Sequence, residues 1–257
     1  LSKLKRFLNC PILALTATAT PEVQKDIQHI LSFLDSQVIR LSSSRPNLSL
    51  TIQHEENKIN RLIHILSKFK NSGLIYVRSR RMTVEYSEQL QESGFKAEAY
   101  HAGLESNLRK KRLEDWMHGI IQYMVCTTAF GMGIDKSNVD VVVHMELPLS
   151  IEEYYQEVGR AGRGGEKAYA VSLCNNRDKR KLISVYENSF PPIEEIQNVY
   201  KKLAFELNYA AGSTMEHSVD FDFKTFCSTY QLPVERTSHA FRLLMQSGFI
   251  FYSNAMF

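Results

Sequence analysis

Between residues 73 and 173 short apolar runs recur, at Gly73–Val77, Ala97–Tyr100, Ile121–Cys126, Val139–His144 and Ala168–Leu173. Stretches with apolar residues at helical spacing separate them, at Arg80–Glu92, Ser106–Met117 and Ile151–Val158. Runs of four to six apolar residues fit strands buried on both faces, and strands alternating with amphipathic helices predict an α/β fold: a parallel sheet with helices on both faces, over 37–182. Ligands of such folds gather beyond the carboxyl ends of the strands, so the loops after Val77, Tyr100 and Cys126 are where chemistry is expected.

The flanks read differently. Ile12–Leu15 predicts a short strand, followed by a Thr/Ala turn and a helix from Pro21, where Thr20 is placed to cap, Pro21 opens the first turn and Glu22 suits the positive helix end. Residues 1–36 are too few for a domain of their own. After Pro191-Pro192 the pattern gives a helix over Ile193–Leu207, a polar loop around Gly212, helices over Phe223–Tyr230 and Val234–Gln246, and a strand at Phe249–Tyr252. Helix, turn, helix, strand outlines a winged helix over 183–257. A small helical packing domain is the alternative, favoured by composition: from Ile183 to Glu235 three bases (Lys201, Lys202, Lys224) face eight acids (Glu187, Glu194, Glu195, Glu206, Glu216, Asp220, Asp222, Glu235). A first residue that is Leu and a last strand ending near Phe257 lead us to expect a fragment of a longer protein.

Composition narrows the class without choosing a function. With 44% apolar, 23% charged and 11% aromatic residues in 257, the chain is neither disordered nor fibrous. A formal net charge of +3 is too small to argue for nucleic acid, so that argument must come from where charges sit. Cys10, Cys126, Cys174 and Cys227 are widely spaced with no C-x-x-C pair, which predicts no disulfide framework, no metal site and a reduced, intracellular protein. No apolar run nears the roughly 20 residues of a membrane span, so no membrane partner is expected.

Two segments carry candidate chemistry. In Tyr154-Tyr155-Gln156-Glu157-Val158-Gly159-Arg160-Ala161-Gly162-Arg163-Gly164-Gly165 a helix breaks at a Gly-rich turn bearing two arginines three apart. Their guanidinium forks can converge on one polyanion such as a triphosphate. A solvated basic helix end is the other reading. Gly131-Met132-Gly133-Ile134-Asp135 follows a strand and the hydroxyls of Thr127 and Thr128, a composition that either admits a phosphate close to the backbone or makes a plain turn with a capping Asp. Arg78, Arg80 and Arg81 at a helix start oppose the helix dipole and call for a compensating anion.

In this order the segments resemble the second RecA-like domain of superfamily 2 helicases, specifically of the RecQ family. The likeness runs from Leu13-Ala14-Leu15-Thr16-Ala17-Thr18-Ala19 (motif III, at the end of the first RecA-like domain) through Ile75-Tyr76-Val77-Arg78-Ser79-Arg80 (motif IV) and Tyr100-His101-Ala102-Gly103-Leu104. It continues in Thr127-Thr128-Ala129-Phe130-Gly131-Met132-Gly133-Ile134-Asp135-Lys136 (motif V) and Tyr155–Gly164 (motif VI). Phe130-Gly131-Met132-Gly133 and Gln156-Glu157 are similar to the DNA-unwinding branch rather than to DEAD-box RNA helicases.

The resemblance implies an ATP-dependent DNA helicase, moving 3′ to 5′ on single-stranded DNA and opening duplex DNA in repair and recombination. An RNA helicase or remodelling translocase, or a non-motor docking module, are the alternatives. It implies Arg163 as the arginine finger on the terminal phosphate, Arg160 as a second phosphate contact and Gln156 as the link to the hydrolysis site. Asp135 would accept from the ribose hydroxyl, with Gly133 beside the nucleotide. Ser79, Arg80, His101, Thr127 and Thr128 would grip strand phosphates, Arg236 and Arg242 would face a duplex, and Thr16 and Thr18 would couple the two lobes. No G-x-x-x-x-G-K-[ST] and no Asp-Glu-x-His occurs. ATP phosphates and the Mg²⁺ ligands would therefore belong to a first RecA-like domain acting as partner, and this chain alone is expected to be inactive. The zinc cysteines of many RecQ proteins are missing after motif VI, so no zinc is expected. The resemblance further implies a cytoplasmic setting, the bacterial nucleoid in particular.

Overall fold

The computed structural model describes residues 12–16, 19–33, 38–39, 44–131, 134–210 and 218–252. The chain divides into two compact units, Leu1–Asp178 and Lys179–Phe257.

In the first unit six parallel strands stand in the order β1-β6-β5-β2-β4-β3. They are β1 (Leu48–His54), β2 (Ser72–Tyr76), β3 (Ala97–Tyr100), β4 (Tyr123–Cys126), β5 (Val139–His144) and β6 (Ala168–Cys174). The helices are α1 (Pro21–Ile30), α2 (Lys58–Leu66), α3 (Arg80–Glu92), α4 (Ser106–Met117), α5 (Ile151–Val158) and α6 (Asn176–Ser189), which crosses into the second unit. This is the parallel sheet with helices that the pattern predicts, in keeping with the RecA-like fold that the resemblance implies. Every residue of β2 and β4 is buried, which is why they read as unbroken apolar runs. Alternation along the strands divides the core. Ile75, Val77, Val125 and Val143 meet Leu62, Leu66 and Leu90 on one face, while Leu74, Tyr76, Met124 and Val142 meet Trp116, Phe130 and Ala161 on the other. Each fully buried Leu stabilises by about 1.5–3 kcal/mol relative to exposure.

Helix α1 has its anticipated cap, the Val23 N–H donating to Thr20 Oγ1 at 3.3 Å. The strand expected at Ile12–Leu15 does not form: 12–16 joins no ladder, and Leu13 and Leu15 are 79% and 83% exposed. An apolar run cannot satisfy its main-chain groups without a neighbouring strand, and none of the six takes it in. Strand β1, helix α2 and helix α6 were not anticipated. β1 alternates Leu48, Leu50 and Ile52 with polar residues and, among the described residues, pairs with β6 alone, as an edge strand.

In the second unit α7 (Ile193–Glu206), α8 (Phe223–Thr229) and α9 (Val234–Gln246) close around Val199, Leu203, Phe226, Cys227, Ala240 and Phe241. The strand expected at Phe249–Tyr252 is also absent. Its alternation is real, since Ile250 and Tyr252 pack on this core while Phe249 and Phe251 are exposed, but no partner strand is present among the described residues. No helix among the described residues is long and apolar enough to cross a membrane.

Candidate functional site

The register of the sheet brings the predicted loops together. Tyr76 of β2 is paired with Cys126 of β4 and His144 of β5, and Cys126 with Tyr100 of β3. Ser79 and Arg80, His101, and Thr127 and Thr128 follow those residues within four positions, so they emerge side by side at one carboxyl edge. Ser79 caps α3, accepting from the Met82 N–H at 3.1 Å. Arg81 pairs with Glu85 at 2.6 Å, and the Arg78 guanidinium donates to Leu147 O at 2.6 Å. Arg80 is different. Its guanidinium lies over Gly103, where an added Cβ would meet Nη1 at 2.9 Å, and no carboxylate pairs with it among the described residues.

His101 accepts from the Gly103 N–H through Nδ1 at 3.1 Å, so its proton sits on Nε2. Burial, and then the neighbouring Arg80 and Arg112, pull its pKa below the usual histidine value. An imidazole N–H donor and a guanidinium with no carboxylate partner among the described residues thus share one edge with the exposed hydroxyl of Thr128 and the half-buried Thr127, an arrangement that suits phosphate oxygens. Thr128 also lines a cavity of about 260 Å³ with Tyr76, Arg78, His144, Glu146 and Glu153.

The two predicted arginines stand on the turn after α5, which runs back to the amino end of β5, where the Gly162 N–H donates to Val139 O at 2.9 Å, and their circumstances differ. Arg163, its side chain about one-third exposed, donates to Asp135 Oδ1 at 3.0 Å and Ile134 O at 2.8 Å through Nη1, and to Gly159 O at 3.3 Å through Nε. The expected finger and the expected ribose acceptor are each other's partners. Arg160 turns inward. It donates to Gly131 O and lies beside the Tyr76 hydroxyl, its Nε buried without a partner among the described residues. An added Cβ on Gly131, at φ +145°, would sit 2.0 Å from Arg160 Nη2, so the residue must be Gly for this guanidinium to pass. Arg163 is thus partly open to solvent, while the charge of Arg160 is taken up by carbonyl and hydroxyl oxygens of its own unit. Gln156 is exposed on α5. Gly133 and Thr18 lie outside the described residues, and Thr16 is exposed in 12–16.

Beneath these loops lies a buried polar cluster. His144 Nε2 and Glu157 Oε2 are 2.8 Å apart with both side chains nearly inaccessible, and His144 stacks on Tyr76 at 5.4 Å. Burial, more than any neighbouring charge, pushes the Tyr76 hydroxyl and the Cys126 thiol well up.

Sequence reasoning missed the residues that hold the motif VI turn. Arg45 donates through Nη1 to Gly159 O at 2.9 Å and through Nη2 to Gly162 O. Asn47 Nδ2 reaches Gly162 O and Glu166 O, both at 2.8 Å. A cation at the carboxyl end of α5 satisfies carbonyls the helix leaves open and suits its dipole. Gly162 has φ +63°, and a Cβ there would lie 2.7 Å from Asn47 Nδ2. These contacts span more than 110 residues of sequence, beyond the reach of any local pattern.

In the second unit Arg236 is bound by Glu195, Nη2 to Oε1 at 2.8 Å and Nε to Oε2 at 2.7 Å, tying α9 to α7. Arg242, exposed, contacts His239 Nδ1. The carboxylate on Arg236 competes with any duplex phosphate. Among the described residues no three His, Cys, Asp or Glu side chains gather as a metal would need.

Residues 57–165 match the family described as Helicase conserved C-terminal domain. The chain is 42% identical over 173 residues to the ATP-dependent DNA helicase RecQ of Haemophilus influenzae, covering 67% of this chain and 28% of that protein. It is 40% identical over 194 residues to a putative ATP-dependent RNA helicase, R290, of Acanthamoeba polyphaga mimivirus, covering 74% and 35%. In fold it is similar to S. cerevisiae Dbp5 bound to RNA and ADP BeF3, with a TM-score of 0.60, 21% identity, and coverage of 75% of this chain and 52% of that one. The sheet, its strand-end loops and this match define a helicase C-terminal domain. Within that class the chain is similar to RecQ helicases of bacteria and yeast, at 37–42% identity over 12–34% of their length. It spans roughly a third of the length of the curated relatives it matches.

Proposed function

We propose that the chain is the second-lobe part of an ATP-dependent DNA helicase that moves 3′ to 5′ on single-stranded DNA, opening duplexes in repair and recombination inside the cell. In this reading residues 1–36 end the first RecA-like lobe, 37–182 form the second, and 183–257 are a helical region that orients the motor.

The observation that carries the proposal is the Arg163–Asp135 pair at 3.0 Å, partly open to solvent beside a glycine turn. A carboxylate is what a ribose hydroxyl needs as acceptor, and a guanidinium fork is what a terminal phosphate needs as charge develops in phosphoryl transfer. ATP, held with Mg²⁺ by the first lobe, would take Asp135 through its ribose and draw Arg163 to its phosphate. The chain's own residues then do three things. Arg163 neutralises transition-state charge. Arg160, on Gly131 O, keeps the motif V turn against motif VI. Ser79, Arg80, His101, Thr127 and Thr128 hold the strand by its phosphates, without base readout, so binding is independent of sequence. Thr16 and Thr18 carry the movement between lobes.

The relative from mimivirus supports a second reading, in which the strand is RNA. The same assay decides both: hydrolysis of ATP by the intact enzyme, measured with single-stranded DNA and with RNA of equal length. Stimulation by DNA is expected. Stimulation by RNA alone replaces the first reading with the second, and no stimulation by either removes the motor.

A further inference from the structure

Lys136 follows Asp135 directly and is buried, 7% exposed. Its Nζ donates at 2.9 Å to the carbonyl of Met117, the last residue of α4, and lies 5.1 Å from the centroid of the Trp116 ring. Trp116 is 1% exposed and meets Phe130 of motif V edge to face at 5.3 Å. The indole N–H has no partner among the described residues, so the ammonium on its face is the ring's polar contact there. A cation suits both the end of a helix and the face of an indole. Burial works against it and pulls its pKa down. A side chain needed only to fill this space would carry no charge.

Among the described residues the Tyr76 hydroxyl also holds Phe130 O at 3.3 Å, and the motif VI side adds Arg160 to Gly131 O, Arg163 to Ile134 O and Asp135, and the Gly164 N–H to Ser137 O at 3.1 Å. Arg163 is the contact that a bound phosphate would redirect. When it leaves, Asp135 loses its partner, and of the holds that stay the one on the adjacent residue is Lys136.

We propose that Lys136 is a positioning residue that sets Asp135 for the nucleotide's ribose by pinning motif V to the end of α4 and the face of Trp116. The proposal rests on the reading of Asp135 as ribose acceptor. It also assigns Trp116, the single tryptophan of the sequence, a role beyond core packing.

The test uses the intact enzyme with Lys136→Met and Lys136→Arg, comparing kcat/KM for ATP and for 2′,3′-dideoxy-ATP. Lys136→Met is expected to lower the preference for ATP roughly tenfold through KM, with kcat little changed, because a misplaced acceptor weakens one contact without touching the finger. Lys136→Arg, which keeps cation and ring contact, restores most of it. In the 257-residue chain, Lys136→Met should alter the emission of Trp116 and raise its quenching by acrylamide. Should Lys136→Met not fold, Trp116→Phe, which keeps the Met117 bond but weakens the ring contact, should lower the preference in the same direction to a smaller extent. A preference unchanged in these variants but lost in Asp135→Ala overturns the role of Lys136 and leaves the ribose reading standing. A preference untouched by Asp135→Ala overturns both.

Discussion

Arg45 is where the account is most exposed to a simple stability measurement. Replacing it with Ala removes two guanidinium hydrogen bonds, to Gly159 O and Gly162 O, which close the carboxyl end of α5 and the turn carrying Arg163. Bonds to charged groups contribute about 1.5–3 kcal/mol each, so the upper bound is about 3–6 kcal/mol. Two features lower it. Gly162 O keeps the Asn47 amide at 2.8 Å, and Gly159 O keeps Arg163 Nε at 3.3 Å, so neither carbonyl is orphaned. The site is also only partly buried, and water can replace some of what is lost. The net expectation is a loss of about 2–3 kcal/mol. For a unit of this size that corresponds to a fall in melting temperature of roughly 4–12 °C. Circular dichroism of the 257-residue chain, followed in heat and in urea, reads it. Arg45→Lys, a point charge in place of a fork, should recover about half. A Arg45→Ala variant within about 0.5 kcal/mol of the parent refutes the claim that these bonds hold the turn.

Two further outcomes concern His101 and Gly162. His101 has a pKa lowered in the folded protein, so its contribution to stability is complete above the ordinary histidine value near 6.5 and is lost as pH falls through the lower folded value. A strand phosphate beside it would favour the charged ring, so binding takes up protons: affinity for single-stranded DNA should strengthen roughly three- to tenfold from pH 8 to pH 6 in excess of the change in His101→Asn, and equal pH profiles would remove His101 from the phosphate contacts. Gly162→Ala places a Cβ 2.7 Å from Asn47 Nδ2 and 2.8 Å from Ala168 Cβ at φ +63°, for which a loss of about 2–4 kcal/mol is expected in urea denaturation. A neutral result would mean that the turn is not held in this shape.

The sheet's interior was legible because β2 and β4 are buried on both faces and their apolar runs are unbroken. Helices α3, α4 and α5 were legible because their ends carry breaks in pattern, with Ser79 and Ser150 as caps at two of them. β1 was overlooked although Leu48, Leu50 and Ile52 alternate, since polar residues between them resemble a loop when no partner is known. The strands expected at Ile12–Leu15 and Phe249–Tyr252 show the converse: an apolar run states what wants burial, and only a neighbouring strand makes it a ladder. In the site, residue types and order pointed to the loops after β2, β3 and β4 and to the turn after α5. The inward turn of Arg160, the Arg163–Asp135 pair and the service of Arg45, Asn47 and Lys136 depend on contacts between distant segments, which spacing along the chain does not encode.

The central claim is that Arg163, alone of the two arginines, leaves its carboxylate to meet the terminal phosphate. Single-turnover hydrolysis of ATP by the intact enzyme, saturated with single-stranded DNA, measures it in Arg163→Ala against the parent. The account predicts a rate lower by about 10³ to 10⁵, some 4–7 kcal/mol of barrier, with nucleotide affinity changed far less. Hydrolysis at the parental rate would contradict it.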